Sequence, residues 1–326
     1  MITIRQIAQE AGVSKSTVSR YLNDGYVSEE TAEKIKLVIE KYNYVPNEFA
    51  RTLKSDKSNF IGVIIPRIDS PSAMSMLDGI NRTAREEGYQ ILISNTDLAV
   101  EREIESIYSL MQNKVAGIIL IATEITPQHL EAQEAISVPI LFIGQNHADV
   151  FSVNHDNYAA GKKLASHLLS FNHQTVTYIG VTENDYSIGV ERKRGIRETF
   201  QEAGVSVTEV MSTFRTKDNY YLALDLLKKP RSTLYICATD NMAMGFYRAA
   251  HELGLMVGKD ISLAGFGGYA FSEFLTPPLT TMDFHHELVG ETAAFNLFAQ
   301  IQGRDIARES IIAVTFLKRD SVVDNA

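Results

Sequence analysis

The chain has 326 residues, 45% of them hydrophobic and 22% charged, which predicts two or three packed domains and excludes a disordered polymer. Its one cysteine, Cys237, excludes an intrachain disulfide, and no apolar run reaches the roughly eighteen residues of a membrane span. The net charge of −9 divides into +1 over residues 1–57 and −10 over the remainder, so any contact with nucleic acid belongs to the first segment. The start "MITIRQIAQEAG" has no apolar core of signal-peptide type, and a cytoplasmic location is expected.

Residues 1–45 read as three helices. Ile4, Ile7, Ala8 and Ala11 make the apolar stripe of a short first helix, which Gly12 ends. Ser14 is an N-cap for a second helix that turns Val18, Tyr21 and Leu22 inward. Ser28 caps a third, carrying Ala32, Ile35, Val38 and Ile39, and Pro46 cannot continue it. Periodicity leaves two readings open, an ordinary helical hairpin and a helix-turn-helix. In the second, Ala8 permits close helix approach, Gly12 supplies a positive φ and Val18 fills the space beneath the reading helix. Lys15, Ser16 and Arg20 then face base edges, with Thr17 and Ser19 placed for phosphates. Stretch 46–59 is polar, with Phe49 and Leu53 at helical spacing, too short to hold a helix alone in water.

From Phe60 the texture changes. "FIGVIIP" is an apolar run typical of a strand buried on both faces of a parallel sheet. A helix at 75–88, strand "YQILISN", helix 100–113, strand 117–122, helix 127–135 and strand 139–144 follow. After residue 170 the alternation restarts with strand 175–181, helix 189–203, a short segment at 207–211, helix 218–228, strand 233–239, helix 241–253 and strand 261–267. Such βα alternation predicts doubly wound parallel sheets, here as two lobes without a repeat visible in sequence. The tail "ESIIAVTFLKRDSV" reads as one or two late strands free to return to either lobe.

The strings "TIRQIAQEAGVSKSTVSRYLN", "YNYVPNEFARTLKS", "GYQILISNT", "ERKRGI", "ATDNMAMGFYRAA" and "PPLTTMD" occur in the order and spacing of the LacI family of bacterial repressors. The resemblance covers essentially the whole chain. It implies a helix-turn-helix head at 1–45 and a hinge at 46–59. A first core lobe follows at 60–155 plus about 285–310, and a second at 156–284 plus about 311–326. It implies a homodimer on double-stranded operator DNA, read by Lys15, Ser16, Thr17 and Arg20. Leu53 then enters the minor groove, Ala50 allows close approach and Arg51 reaches phosphate. Leu53 also admits a plain packing role.

The resemblance further implies a sugar effector between two lobes like those of periplasmic sugar-binding proteins. Arg192 matches the family arginine that donates to sugar hydroxyls, although a surface role in "ERKRG" is open too. Thr239 and Asp240 stand at a ligand position, where Asp240 equally suits a helix cap. Two familiar ligand acids are replaced, by Gly144 with Gln145 beside it and by Gly267–Gly268, which favours a bulkier or negatively charged ligand. Arg67, supported by Ser70 or Ser72, is then a phosphate-binding candidate for a phosphorylated disaccharide, unless Asp69 merely pairs with it. Tyr220 and His286 are further candidates for a sugar ring, and "RIDS" with "GFGGY" resembles the sucrose- or trehalose-responsive branches of the family, sucrose more than trehalose. The other histidines have no metal spacing, and His285 and His286 are expected on opposite sides of a strand. No phosphate-loop, zinc-protease or G-x-S-x-G motif occurs, so neither a cofactor nor an enzyme is expected.

Overall fold

The computed structural model describes residues 2–22, 25–44, 58–228 and 232–325. They form two compact units, divided between Ser58 and Asn59.

The first unit is three helices, α1 (Ile4–Glu10), α2 (Lys15–Leu22) and α3 (Glu29–Lys41). Thr3 and Gln6 close a capping box on α1, and Ser14 Oγ accepts from the Thr17 amide at 3.1 Å to start α2. Gly12 sits at φ +66° in the turn, a conformation that costs glycine nothing. Ile7, Ala8, Ala11, Val18, Ile35 and Val38 form the core, so the apolar periods of all three helices converge. Phe49, Ala50, Arg51, Leu53 and the rest of residues 45–57 lie outside the described residues.

The second unit holds two six-stranded sheets. The first is built from β1 (Phe60–Ile65), β2 (Gln90–Asn95), β3 (Ile118–Ile121), β4 (Ile140–Ile143), β5 (Phe151–Asn154) and β11 (Glu309–Ile311), in the order β11-β5-β4-β3-β1-β2. The second contains β6 (Thr175–Gly180), β7 (Ser206–Met211), β8 (Leu234–Cys237), β9 (Ser262–Gly267), β10 (Thr280–Asp283) and β12 (Thr315–Leu317), in the order β12-β10-β9-β8-β6-β7. The two orders are the same doubly wound pattern, so the lobes repeat in topology although not in sequence. All pairings are parallel except β10 with β12. The tail therefore splits, one strand going to each sheet.

Helices α4 (Pro71–Glu86), α5 (Val100–Gln112), α6 (Pro127–Ala135) and α11 (His286–Ile301) pack on the first sheet, whose two faces bury separate apolar clusters. Helices α7 (Asn157–Leu169), α8 (Lys193–Glu202), α9 (Thr216–Lys228) and α10 (Asp240–Glu252) pack on the second. Gly79 of α4 and Gly290 of α11 bring those two backbones together, each lying against a carbonyl of the other helix, and Gly161 and Gly195 do the same for α7 and α8.

Several elements differ from the sequence expectation. Helix α4 begins at Pro71 and not at 75, because Ser70 caps it and Pro71 fits the first turn. The helix expected from 189 starts as a π-helical turn, Tyr186–Arg192, capped by Asp185. Strand β5 and helix α7 fill the stretch between the two expected series. His285 and His286 are not strand neighbours: His285 has φ +47° just before α11, and His286 is the first residue of that helix.

Candidate functional site

In the first unit Lys15, Ser16 and Arg20 are exposed on α2 and Thr17 is half-buried, while Val18 is fully buried beneath them. The exposed face is thus cationic and hydroxyl-bearing. Ser14 Oγ lies 2.7 Å from Ser16 Oγ and 2.8 Å from Thr17 Oγ1, which holds the first turn of α2 as one hydrogen-bonded cluster.

In the second unit a cavity lies between the two sheets, lined by the loops that leave the carboxyl ends of their parallel strands. This is where a doubly wound sheet places its ligand. Arg67, Ser70, Gln145, Arg192, Thr239 and His286 all reach it. Tyr220 does not: it sits on α9, with its hydroxyl donating to Glu252 at 2.8 Å. Asp240 is also displaced from the expected role. It lies behind the cavity wall, fully buried, where its carboxylate accepts from Thr281 Oγ1 at 2.6 Å and the Tyr269 amide at 3.2 Å. Thr239, one residue earlier, is the cap of α10 and the one that lines the cavity. Burial pushes the Asp240 carboxyl up to about 6.

Arg192 closes the π-helical turn and is 5% exposed. Its Nε and Nη2 donate to Asn157 Oδ1 at 3.1 and 2.7 Å, and Nη1 donates to the Ala238 carbonyl at 2.6 Å. The guanidinium lies over the rings of Phe266 and Phe284, 4.8 and 4.5 Å from their centres. Among the described residues no carboxylate lies within ion-pair distance of it, so a buried charge is left for the cavity to satisfy, and burial lowers its pKa. Arg67 differs, since its Nε pairs with Asp69 at 2.9 Å while the guanidinium rests 5.7 Å from the Phe214 ring.

Neither ring nitrogen of His286 has a hydrogen-bond partner among the described residues, and the ring is stacked near Phe284 and edge-on to His155. Burial holds it neutral. An unpartnered neutral imidazole offers one donor and one acceptor, as sugar hydroxyls require.

Sequence reasoning missed several lining groups. Asn157 was invisible because only the fold brings it to Arg192. Phe214, Phe266 and Phe284 also border the cavity, the last two as fully buried core rings, and no motif in the sequence marks them. Hydrogen bonds join the lobes at its margin. Ser187 Oγ donates to the Gly144 carbonyl at 2.7 Å, and Gln145 Nε2 donates to Asp185 Oδ1 at 3.3 Å.

His155 couples the site to stability. Its Nε2 donates to the Phe284 carbonyl at 2.6 Å, and burial depresses its pKa from 6.5 to about 4. The unfolded chain therefore binds a proton before the folded one, and stability contributed by neutral His155 is lost as pH falls from about 6.5 towards 4. Asp240, raised from 3.8 to about 6, has the opposite sign over much of the same window, so the comparison must be made within a pair of variants. The stability advantage of the parent over His155→Gln, measured by urea denaturation, should shrink by about 3 kcal/mol between pH 7 and pH 4. A difference independent of pH would show that His155 titrates normally in the fold.

Comparison with known proteins adds the following. A family model described as bacterial regulatory proteins of the lacI family matches residues 3–47, and one described as periplasmic binding proteins and sugar binding domain of the LacI family matches residues 58–320. The chain is 33% identical to the sucrose operon repressor of Staphylococcus xylosus, covering 96% of this chain and 98% of that one. It is 31% identical to the ribose operon repressor of Bacillus subtilis, covering 98% of each. Among solved structures, a lac repressor dimer bound to operator and an anti-inducer superposes with a TM-score of 0.87 at 25% identity, covering 99% of both chains.

Proposed function

Because this chain belongs to the LacI family of bacterial regulatory proteins, DNA-binding repressors and not enzymes, we propose that it represses a carbohydrate operon, with sucrose as the sugar it senses. It acts in the cytoplasm as a homodimer, places one helix-turn-helix on each half of a near-palindromic operator, and lets go when the sugar fills the cleft. The observation that carries the sugar reading is Arg192, a buried guanidinium with no ion pair among the described residues, held over two core rings at the wall of a cavity between the lobes. The unused N–H groups of Arg192 suit sugar hydroxyls, and the half-buried ring of Phe214 on the same cavity suits the apolar face of a sugar ring.

An uncharged disaccharide fits better than its phosphate, because Asp69 already meets the charge of Arg67. The phosphorylated form remains a second reading, supported by two guanidinium groups on one cavity. Calorimetry with sucrose and with sucrose phosphate separates them: tighter binding of the phosphate, abolished in Arg67→Ala, would reverse the preference. The hinge at 46–59, with Ala50, Arg51 and Leu53, and the lobe limits of 60–155 plus about 285–310 and 156–284 plus about 311–326 belong to the same proposal.

Ligand release follows from linkage: a sugar that binds the operator-free state better must weaken operator binding. Mobility shift with saturating sugar should show that weakening, whereas tightening would mean co-repression. Arg20 is exposed on α2, where a bidentate contact with guanine is geometrically open to it. Arg20→Ala should cost about 1–3 kcal/mol on the operator and little on random DNA. Competition between the two DNAs measures this, and an unchanged preference removes Arg20 from the reading surface.

A further inference from the structure

We propose that Asp185 is a sugar-binding carboxylate of the cleft, accepting a ligand hydroxyl beside Arg192 while it also joins the two lobes. The inference rests on the sugar-binding reading above.

The loop sequences make the cleft look poor in acids, and the structure explains why glycine stands where an acid was expected. Gly144 has φ +93°, a strained conformation for any side chain. At Gly267 a Cβ would lie 2.7 Å from the Tyr269 ring, and at Gly268 it would lie 2.6 Å from the Asp283 backbone. Neither loop has room for a carboxylate on this backbone.

Asp185 supplies one from another direction. It lines the cavity at the start of the π-helical turn that ends in Arg192. Its Oδ1 accepts from the Ile188 amide at 3.1 Å and from Gln145 Nε2 of the other lobe at 3.3 Å, whereas Oδ2 has no hydrogen-bond partner among the described residues. Arg192 likewise uses three of its five N–H groups on Asn157 and Ala238. The two ions are not paired with each other, although one short turn carries both. Burial raises the acid's pKa and lowers the base's, as expected of two desolvated charges that lack an opposite charge in contact.

A hydroxyl both donates and accepts, so neighbouring hydroxyls of a sugar satisfy the carboxylate and the guanidinium together. A phosphate at this wall would meet the carboxylate with like charge, so the ligand presents hydroxyls here. The bond from Gln145 means that the group gripping the ligand also spans the lobes, with Ser187 and the Gly144 carbonyl alongside it.

The test uses the full chain with sucrose, trehalose, maltose, glucose, fructose and ribose as probes, first by thermal shift and then by calorimetry on each sugar that raises the unfolding temperature. Asp185→Asn keeps a residue able to cap the turn and removes the charge. It should lower the affinity for the bound sugar about ten- to hundredfold, the loss expected for a hydrogen bond to a charged acceptor. Asp185→Ser, which also caps, serves if the asparagine variant does not fold. Equal sugar affinity in parent and variant would overturn the inference and leave the sugar reading intact. A parent that binds none of these sugars would overturn both.

Discussion

Arg192→Ala should abolish the response to sugar while leaving a folded protein. The parent guanidinium is held by Asn157, by the Ala238 carbonyl and against the rings of Phe266 and Phe284, so it reaches the cavity already oriented. Pre-orientation matters because the entropy of fixing a long side chain is lost on folding and not on binding. Removing two charge-assisted hydrogen bonds to the ligand should cost about 3 kcal/mol or more, a loss of about two orders of magnitude in affinity. Arg192→Lys keeps the charge and loses the fork, and should fall between the two. Calorimetry with sucrose and operator release under saturating sugar measure the effect, with thermal unfolding as the control for folding. An alanine variant that binds sugar like the parent would remove Arg192 from the site.

The second large effect concerns stability. Gly290→Ala should destabilise the second unit by about 3 kcal/mol, because overpacking a close helix crossing forces backbone movement. The added Cβ would fall on the carbonyl oxygen of Met76 in α4, and backbone, unlike a side chain, cannot turn aside. The reciprocal contact of Gly79 with the Glu287 carbonyl means that neither helix can shift without disturbing the other. Arg82, which pairs with Glu287 and Glu291 across the same crossing, is partly exposed and adds little by comparison. Urea denaturation checks this; a variant as stable as the parent would mean that α4 and α11 separate at little cost. The helix also carries His286 into the cavity, so sugar binding should weaken together with stability.

The head was legible because its signals are local. Ser14 and Gly12 mark helix ends through hydrogen bonds and dihedral angles within a few residues, and Ile7, Ala8 and Val18 report burial through spacing alone. The buried strands were legible for a related reason: a strand covered on both faces, such as Phe60–Ile65, must be apolar throughout. Alternation of such strands with helices then dictates parallel, doubly wound sheets.

The tail was ambiguous because the three-residue strands Glu309–Ile311 and Thr315–Leu317 are half-buried edge strands, with no continuous apolar run to assign them. Only the packing of α11 on the first sheet decides that the chain passes there before its last strand returns to the second.

The cavity divides in the same way. Arg192 and Thr239 could be nominated from their motifs, but Tyr220 and Asp240, nominated alike, face a neighbouring helix and the buried back of the wall. Asn157, Asp185, Phe214 and Phe284 carry no local mark of a site. Sequence by itself determined the reading helix, the two α/β series and the family to which they belong, because each depends on neighbours in the chain. Which side chains share the cleft was decided by tertiary structure alone, since sheet order brings together loops that are far apart in sequence, and spacing along the chain holds no record of that distance.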